Sequence, residues 1–144
     1  MKIECIPNSA EKYMMIKIGK MQFKDSFGFL SSSLDTLASN LKSSKGLEVF
    51  KCTRETFEAQ YGDKWSWFTE KGVYPYEYMD SFEKFKETKL PPRECFYSSL
   101  NDELVSEEDY ERGNRVMSEL KMKDLGEYTD NYMKADVALL ADVQ

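Results

Sequence analysis

The sequence has 144 residues, of which 41% are hydrophobic and 14% aromatic, which suits one domain with a core and argues against a disordered chain. It has no histidine, which excludes zinc sites built on histidine and nucleophiles activated by histidine. The net charge of −6 is uneven: residues 1–100 carry 15 basic and 14 acidic side chains, and residues 101–144 carry 5 and 12. The chain therefore lacks the overall basic surface typical of general nucleic-acid binding.

Cysteine content and hydropathy indicate the cellular compartment. Cys5, Cys52 and Cys95 are odd in number and far apart, which is typical of reduced thiols rather than of a disulfide framework. We find no apolar run of about 18 residues and no signal peptide after Met1, so we expect an intracellular chain without membrane contact. With neither histidine nor a C-x-x-C motif, a bound metal would be held by carboxylates, which favours Mg²⁺ or Mn²⁺.

The first third of the chain predicts strands and then a helix. Apolar and polar residues alternate over 2–7 and 13–23, which predicts two or three antiparallel strands with Gly19-Lys20 as a tight hairpin turn. A serine-rich connector then leads into an amphipathic helix that ends near Gly46.

The remainder predicts helices around an aromatic-rich middle. Thr53 is expected to cap a short helix, and 65–97 is expected to form an extended wrap with one-turn helices. The capping box that begins at Ser106 predicts a helix to about Lys121, and apolar residues at helical spacing predict another from about Gly126 to the terminus. The sequence thus predicts an α/β chain whose N-terminal antiparallel strands are followed by helices packed on the sheet.

Two aromatic clusters allow two interpretations. The tryptophans and phenylalanine within 65–68 and the tyrosines within 74–78 could stack on nucleic-acid bases. Core packing is the commoner role for such clusters, and the sequence favours it here.

Two residues stand on one side of the last predicted helix. Tyr132 and Asp136 are four apart, so the phenol and the carboxylate lie one turn apart. Asp136 directly precedes the run Val-Ala-Leu-Leu-Ala, where a carboxylate is costly to bury unless it is paired, hydrogen-bonded or bound to a metal. A solvated aspartate at the edge of the core beside a buried tyrosine is the other interpretation, and the spacing leaves both open.

Three parts of the chain carry a family resemblance. Residues 23–41 (FKDSFGFLSSSLDTLASNL), residues 71–81 (KGVYPYEYMDS) with 90–98, and the pattern Y-x-x-x-D at Tyr132 and Asp136 occur in this order. Together they resemble the exonuclease domain of protein-primed family B DNA polymerases, which replicate DNA in adenoviruses, linear plasmids, small phages and Maverick/Polinton-type elements. The resemblance covers nearly the whole chain.

The resemblance implies an RNase H-like 3′–5′ exonuclease that hydrolyses the terminal phosphodiester with two Mg²⁺ or Mn²⁺ ions held by several carboxylates. It makes Asp136 the last metal ligand and Tyr132 the residue that orients the attacking water. Ser26 and Phe27 correspond to a pattern that contacts the single-stranded primer end, although a strand-end serine beside a core phenylalanine is equally compatible. The implied partners are DNA and a terminal protein.

The family's other motifs are not found in this chain. A D-x-E motif would lie on a strand ahead of Phe23, where only Glu4 and Glu11 are acidic, and no polymerase motif follows Asp136. We therefore expect residues 1–144 to be a partial exonuclease domain of a DNA polymerase, without the polymerase domain, that binds Mg²⁺ or Mn²⁺ weakly or not at all and is inactive by itself. The alternative is a non-catalytic interaction module that kept the fold and binds protein through its aromatic middle.

Overall fold

The structure, a computed structural model, describes these parts of the chain: residues 3–7, 13–25, 30 and 32–144. The chain divides into two units, Met1–Ser33 and Leu34–Gln144. Among the described residues the first unit holds a three-stranded antiparallel sheet and the second holds four α-helices. The chain is therefore of mixed α/β class, as the sequence predicts.

The sheet has the order β1–β2–β3, with the following bounds: β1 (Ile3–Pro7), β2 (Tyr13–Ile18) and β3 (Met21–Lys24). Ile18 pairs with Ile3 on one side and with Met21 on the other, and both pairings are antiparallel. Gly19 and Lys20 form the turn between β2 and β3, and Gly19 has a φ of 61°, a left-handed value that favours glycine. The predicted hairpin turn is confirmed.

The helices of the second unit have the following bounds: α1 (Leu34–Lys45), α2 (Lys51–Tyr61), α3 (Glu107–Glu119) and α4 (Leu125–Val143). The predicted capping residue of α3 is confirmed, because the Ser106 hydroxyl accepts the Asp109 N–H at 3.1 Å. Asp124 similarly accepts the Glu127 N–H at 2.9 Å ahead of α4. α3 ends before Lys121, whose φ of 54° is incompatible with a right-handed helix.

The predicted cap of α2 is wrong. The helix already begins at Lys51, so Thr53 lies inside it. Its first amides are bound by Asp142 of α4, whose Oδ1 accepts the Cys52 N–H at 2.8 Å and whose Oδ2 accepts the Thr53 N–H at 2.9 Å. The residue at the N-cap position itself is Phe50, whose side chain has no acceptor. A side chain from the far end of the chain therefore does what a local cap usually does.

The aromatic middle is an irregular wrap with 3₁₀ segments, as predicted, although the first segment has 8 residues and exceeds the predicted single turn. These segments are Gly62–Thr69, Phe82–Lys86 and Arg93–Phe96. Long side chains fasten the wrap to its neighbours: Arg93 Nε donates to the Val105 carbonyl at 2.8 Å, and the Tyr110 hydroxyl donates to the Pro91 carbonyl at 2.9 Å. The wrap thus gains side-chain partners for backbone groups that lie outside regular elements.

The core of the helical unit lies where α2 and α4 meet residues 62–69. Phe57 of α2 stacks on Phe68 with ring centroids 3.8 Å apart, and Leu139 of α4 is fully buried beside them in the same cluster. Trp65 is also buried, so the first aromatic cluster contributes mainly to the core. This packing fixes the position of α4, the helix that carries Tyr132 and Asp136.

The prediction that the chain does not contact a membrane is tested only for its helices. No helix in the described ranges has the length and apolar content needed to cross a membrane. The intracellular location, the RNase H-like topology and the packing of helices on the sheet stay predictions.

Candidate functional site

The candidate site is built on the middle of α4. Tyr132 is buried, and Asp136 lies one turn further along on the same side, close enough for its negative charge to act on the phenol. Asp136 is partly exposed as a residue, yet its Oδ1 atom is buried and has no hydrogen-bond partner in the part of the chain that the structure describes. A buried carboxylate oxygen without a donor costs free energy, about 1–3 kcal/mol for an unsatisfied polar group.

Residues of the aromatic middle complete the site. The Tyr76 and Tyr132 hydroxyls are 2.6 Å apart and share one hydrogen bond. The Tyr74 ring stacks on the Tyr132 ring with centroids 4.9 Å apart, and Tyr74 is itself held by a hydrogen bond between its hydroxyl and that of Thr129, at 3.1 Å. Gly72 lets its backbone lie close to the Tyr132 ring, since a Cβ at that position would lie 3.2 Å from Tyr132 Cδ2. The Tyr132 phenol is therefore held in one position from two sides.

The electrostatics of the site follow from burial. Burial raises the pKa of Tyr132, and the hydrogen bond to Tyr76 and the negative charge of Asp136 raise it further. Burial also raises the pKa of Asp136, while the positive charge of Lys71 acts in the opposite direction. Tyr132 thus stays protonated and able to donate a hydrogen bond at any physiological pH.

The donor set of the site does not by itself fit a pair of divalent ions. Among the described residues there is no group of three or more histidine, cysteine, aspartate or glutamate side chains that could hold a metal. The positive charge that acts on Asp136 comes from Lys71, and it opposes binding of a further cation. Two adjacent divalent ions need several carboxylates, and the described residues bring only Asp136 to this site.

Two basic side chains of the helical unit line a cleft in which an acidic residue already pairs with them. Lys42 and Arg112 both bind the Glu70 carboxylate, Lys42 Nζ at 2.8 Å. These two hydrogen bonds lower the pKa of Glu70, with Lys42 the larger cause. Glu70 therefore partly neutralises the positive charge of this cleft, which leaves less charge to attract a phosphate.

Part of this site follows from the sequence. Helical spacing correctly predicts that Tyr132 and Asp136 share one side of α4, whereas their assigned roles stay predictions. The sequence does not predict the link from Tyr132 to Tyr76. Its only signal is that the segment 71–81 belongs to the same family resemblance. Ser26 and Phe27, predicted to contact DNA, lie outside the described residues.

Comparison of the chain with protein families, with curated proteins and with solved structures finds no match.

Proposed function

We propose that this chain is part of the 3′–5′ proofreading exonuclease region of a protein-primed family B DNA polymerase, with an RNase H-like fold, and that it does not hydrolyse DNA by itself. The observation that carries the proposal is the pair Tyr132 and Asp136, fixed on one side of α4 with the Asp136 Oδ1 atom buried and without a donor. The family resemblance gives this pair a role.

A carboxylate in this position needs an explanation that the fold does not supply. Asp136 weakens the folded state when it is ionised, because burial disfavours the charged form. Alanine at the same position, next to the small buried residues Ala135 and Ala138, would avoid that cost. Retention of a carboxylate at such a cost is typical of a functional position.

Tyr132 fits the assigned role of orienting a water molecule. Its hydroxyl remains protonated, and the hydrogen bond to Tyr76 together with stacking on Tyr74 holds it in one geometry. A tyrosine fixed in this way can hold a small polar ligand without paying the entropy of ordering its own side chain.

The proposed lack of activity follows from the donor set. One carboxylate beside the positive charge of Lys71 is insufficient for two divalent ions, and Mg²⁺ gives up its own water ligands reluctantly. We therefore expect weak Mg²⁺ or Mn²⁺ binding or none. In a longer relative that supplies the other carboxylates, Asp136 would serve as the last metal ligand.

The family assignment is tested by sequencing the genomic DNA that surrounds the coding region. An in-frame D-x-E motif and an N-x-x-F/Y-D motif upstream, followed by polymerase motifs downstream, are the expected result. Stop codons on both sides would instead favour the second candidate, a non-catalytic interaction module. The aromatic surface around Tyr76, which is 65% exposed, is the observation that favours this second candidate.

The activity of the chain is tested by incubating the purified protein with a 5′-labelled single-stranded oligonucleotide and Mn²⁺. We expect no digestion by the natural chain or by Asp136→Ala. Digestion that the substitution abolishes would overturn the proposed inactivity and support the role of Asp136. Digestion by both proteins that persists through repeated purification would contradict the assignment of Asp136 as a metal ligand.

A further inference from the structure

Tyr76 of the candidate site also lines a groove at the surface. The groove has a volume of about 410 Å³ and lies between residues 72–77 and residues 96–106, and we call it the tyrosine groove. Its lining combines apolar and aromatic side chains with three acidic residues, Glu77, Glu103 and Asp109, and none of its described lining residues is lysine or arginine. The groove is therefore both aromatic and acidic.

Two tyrosine rings of the groove are exposed yet held in position. Tyr76 and Tyr97 are 65% and 43% exposed. The Tyr76 hydroxyl is bound to that of Tyr132, and its ring packs edge-to-face on Tyr74 with centroids 5.0 Å apart. The Tyr97 hydroxyl donates to Asp102. Both rings thus offer a face to solvent without the side-chain disorder that an exposed aromatic usually has to lose on binding.

The acidic residues of the groove differ in how far they are neutralised. Glu77 Oε1 accepts the Ser99 N–H at 2.7 Å and the Ser99 hydroxyl at 2.8 Å, and these bonds lower the pKa of Glu77, so it is ionised at neutral pH. Asp109 is paired with Arg112 at 3.1 Å. Glu103 is exposed, and its backbone is fixed by reciprocal hydrogen bonds with Ser98. Glu77 therefore supplies negative charge at a fixed place, close enough to act on the Tyr97 phenol, and Glu103 adds a carboxylate to the same lining.

We propose that the tyrosine groove binds an extended, arginine-bearing segment of a partner protein. A guanidinium group stacks on a tyrosine face and at the same time donates hydrogen bonds to a carboxylate, and the groove presents both next to each other. The proposal does not use the family resemblance and holds whether or not the chain derives from a DNA polymerase. Nucleic acid is the disfavoured ligand, because its phosphates would meet acidic residues and no basic ones in the described lining.

The test measures fluorescence anisotropy of a labelled, terminally blocked heptapeptide of alternating glycine and arginine, titrated with the purified chain. We expect saturable binding that Glu103→Gln weakens about three- to tenfold, since it removes one charge-assisted hydrogen bond. Glu119→Gln removes the same charge from an exposed glutamate at the end of α3, outside the groove, and should change the affinity less than about twofold.

Two further variants separate the aromatic contribution from the charge. Tyr97→Ala should weaken binding about three- to tenfold by removing a stacking face. Phe82→Ala removes an aromatic ring that is 84% exposed elsewhere on the surface and should leave binding unchanged. The corresponding lysine peptide should bind less tightly than the arginine peptide, because lysine cannot stack as a planar group.

Four results would overturn the proposal. They are an equal loss of affinity in Glu103→Gln and Glu119→Gln, which would indicate general attraction to an acidic protein; equal affinity for the lysine and arginine peptides; saturable binding of a labelled single-stranded oligonucleotide to the natural chain that Tyr97→Ala weakens; and no binding at millimolar protein.

Discussion

Asp136 and Asp142 lie on the same helix and have opposite surroundings. Asp142 accepts three hydrogen bonds, from the Cys52 and Thr53 amides and, at 2.7 Å, from the Thr53 hydroxyl. Asp136 has a buried oxygen with no donor among the described residues. One carboxylate is thus fully explained by the fold, and the other is not.

The difference shows how a carboxylate that stabilises the fold can be told apart, by its contacts, from one that the fold does not explain. Asp142 lies at the positive N-terminal end of α2, where a negative charge and free amides stabilise each other. Burial raises the pKa of Asp136, so the folded chain disfavours its ionised form. A residue whose contribution to folding is unfavourable is a better candidate for function than one whose removal would simply unfold the protein.

The largest expected effect comes from Asp142→Ala. The substitution leaves two amides and the fully buried Thr53 hydroxyl without their acceptor, so we expect the free energy of unfolding to fall by about 3 kcal/mol. Urea unfolding followed by circular dichroism measures it. Asp142→Asn keeps one carbonyl acceptor and should lose about half as much. A change below about 0.5 kcal/mol for the alanine variant would show that water replaces the carboxylate at no cost.

This cap also shows which parts of the structure the sequence can predict. The turn at Gly19, the start of α3 at Ser106 and the shared side of Tyr132 and Asp136 depend on residues within four positions of one another, and each was predicted. The cap of α2 by Asp142 joins residues about 90 positions apart, and local rules point instead to Thr53.

In the candidate site, too, the sequence predicts local contacts but not contacts between distant parts of the chain. The link between Tyr76 and Tyr132 spans 56 positions and has no local signature. The orphaned oxygen of Asp136 could be suspected from the apolar run that follows it, but only the packing of the surrounding chain determines whether a donor reaches it.

Asp136→Asn should change the free energy of unfolding in the opposite direction from Asp142→Ala and by a smaller amount. Removing the charge of a half-buried carboxylate whose Oδ1 atom lacks a donor should raise the free energy of unfolding by about 1 kcal/mol at pH 7. The control is Asp130→Asn on the same helix, where an exposed pair with Lys134 is lost and the change should stay within about 0.5 kcal/mol. Destabilisation by Asp136→Asn would mean that the carboxylate has a donor in solution.

The pH dependence of that gain follows from the raised pKa of Asp136. Below the ordinary aspartate pKa of 3.8 both folded and unfolded chains are protonated, and the variant has no advantage. Above 3.8 the unfolded chain ionises first, so the stability of the natural chain falls until the pH passes the raised folded-state pKa. Thermal unfolding at pH 3.5 and pH 7 should therefore show the gain only at the higher pH, and an equal gain at both would contradict burial as its cause.

Effects no larger than that of Asp136→Asn are expected for the tyrosine pair. Tyr76→Phe leaves the hydroxyl of buried Tyr132 without a partner and should cost about 1 kcal/mol, whereas Tyr132→Phe leaves the exposed Tyr76 hydroxyl to water and should cost about 0.5 kcal/mol.

The double variant sharpens this comparison, because both substitutions remove the same hydrogen bond. It should be about as stable as Tyr132→Phe by itself, which gives a coupling energy close to the cost of Tyr76→Phe. Additive losses in urea unfolding would show that the two hydroxyls are not bonded to each other in solution. Since Asp136 Oδ1 receives no hydrogen bond from Tyr132, the pH dependence caused by Asp136 should persist in both single variants. A larger pH dependence in Tyr132→Phe would instead place the phenol on the carboxylate, because a donated hydrogen bond favours the charged form and its loss would raise the pKa of Asp136 further, and Asp136 would then resemble Asp142 as a residue explained by the fold.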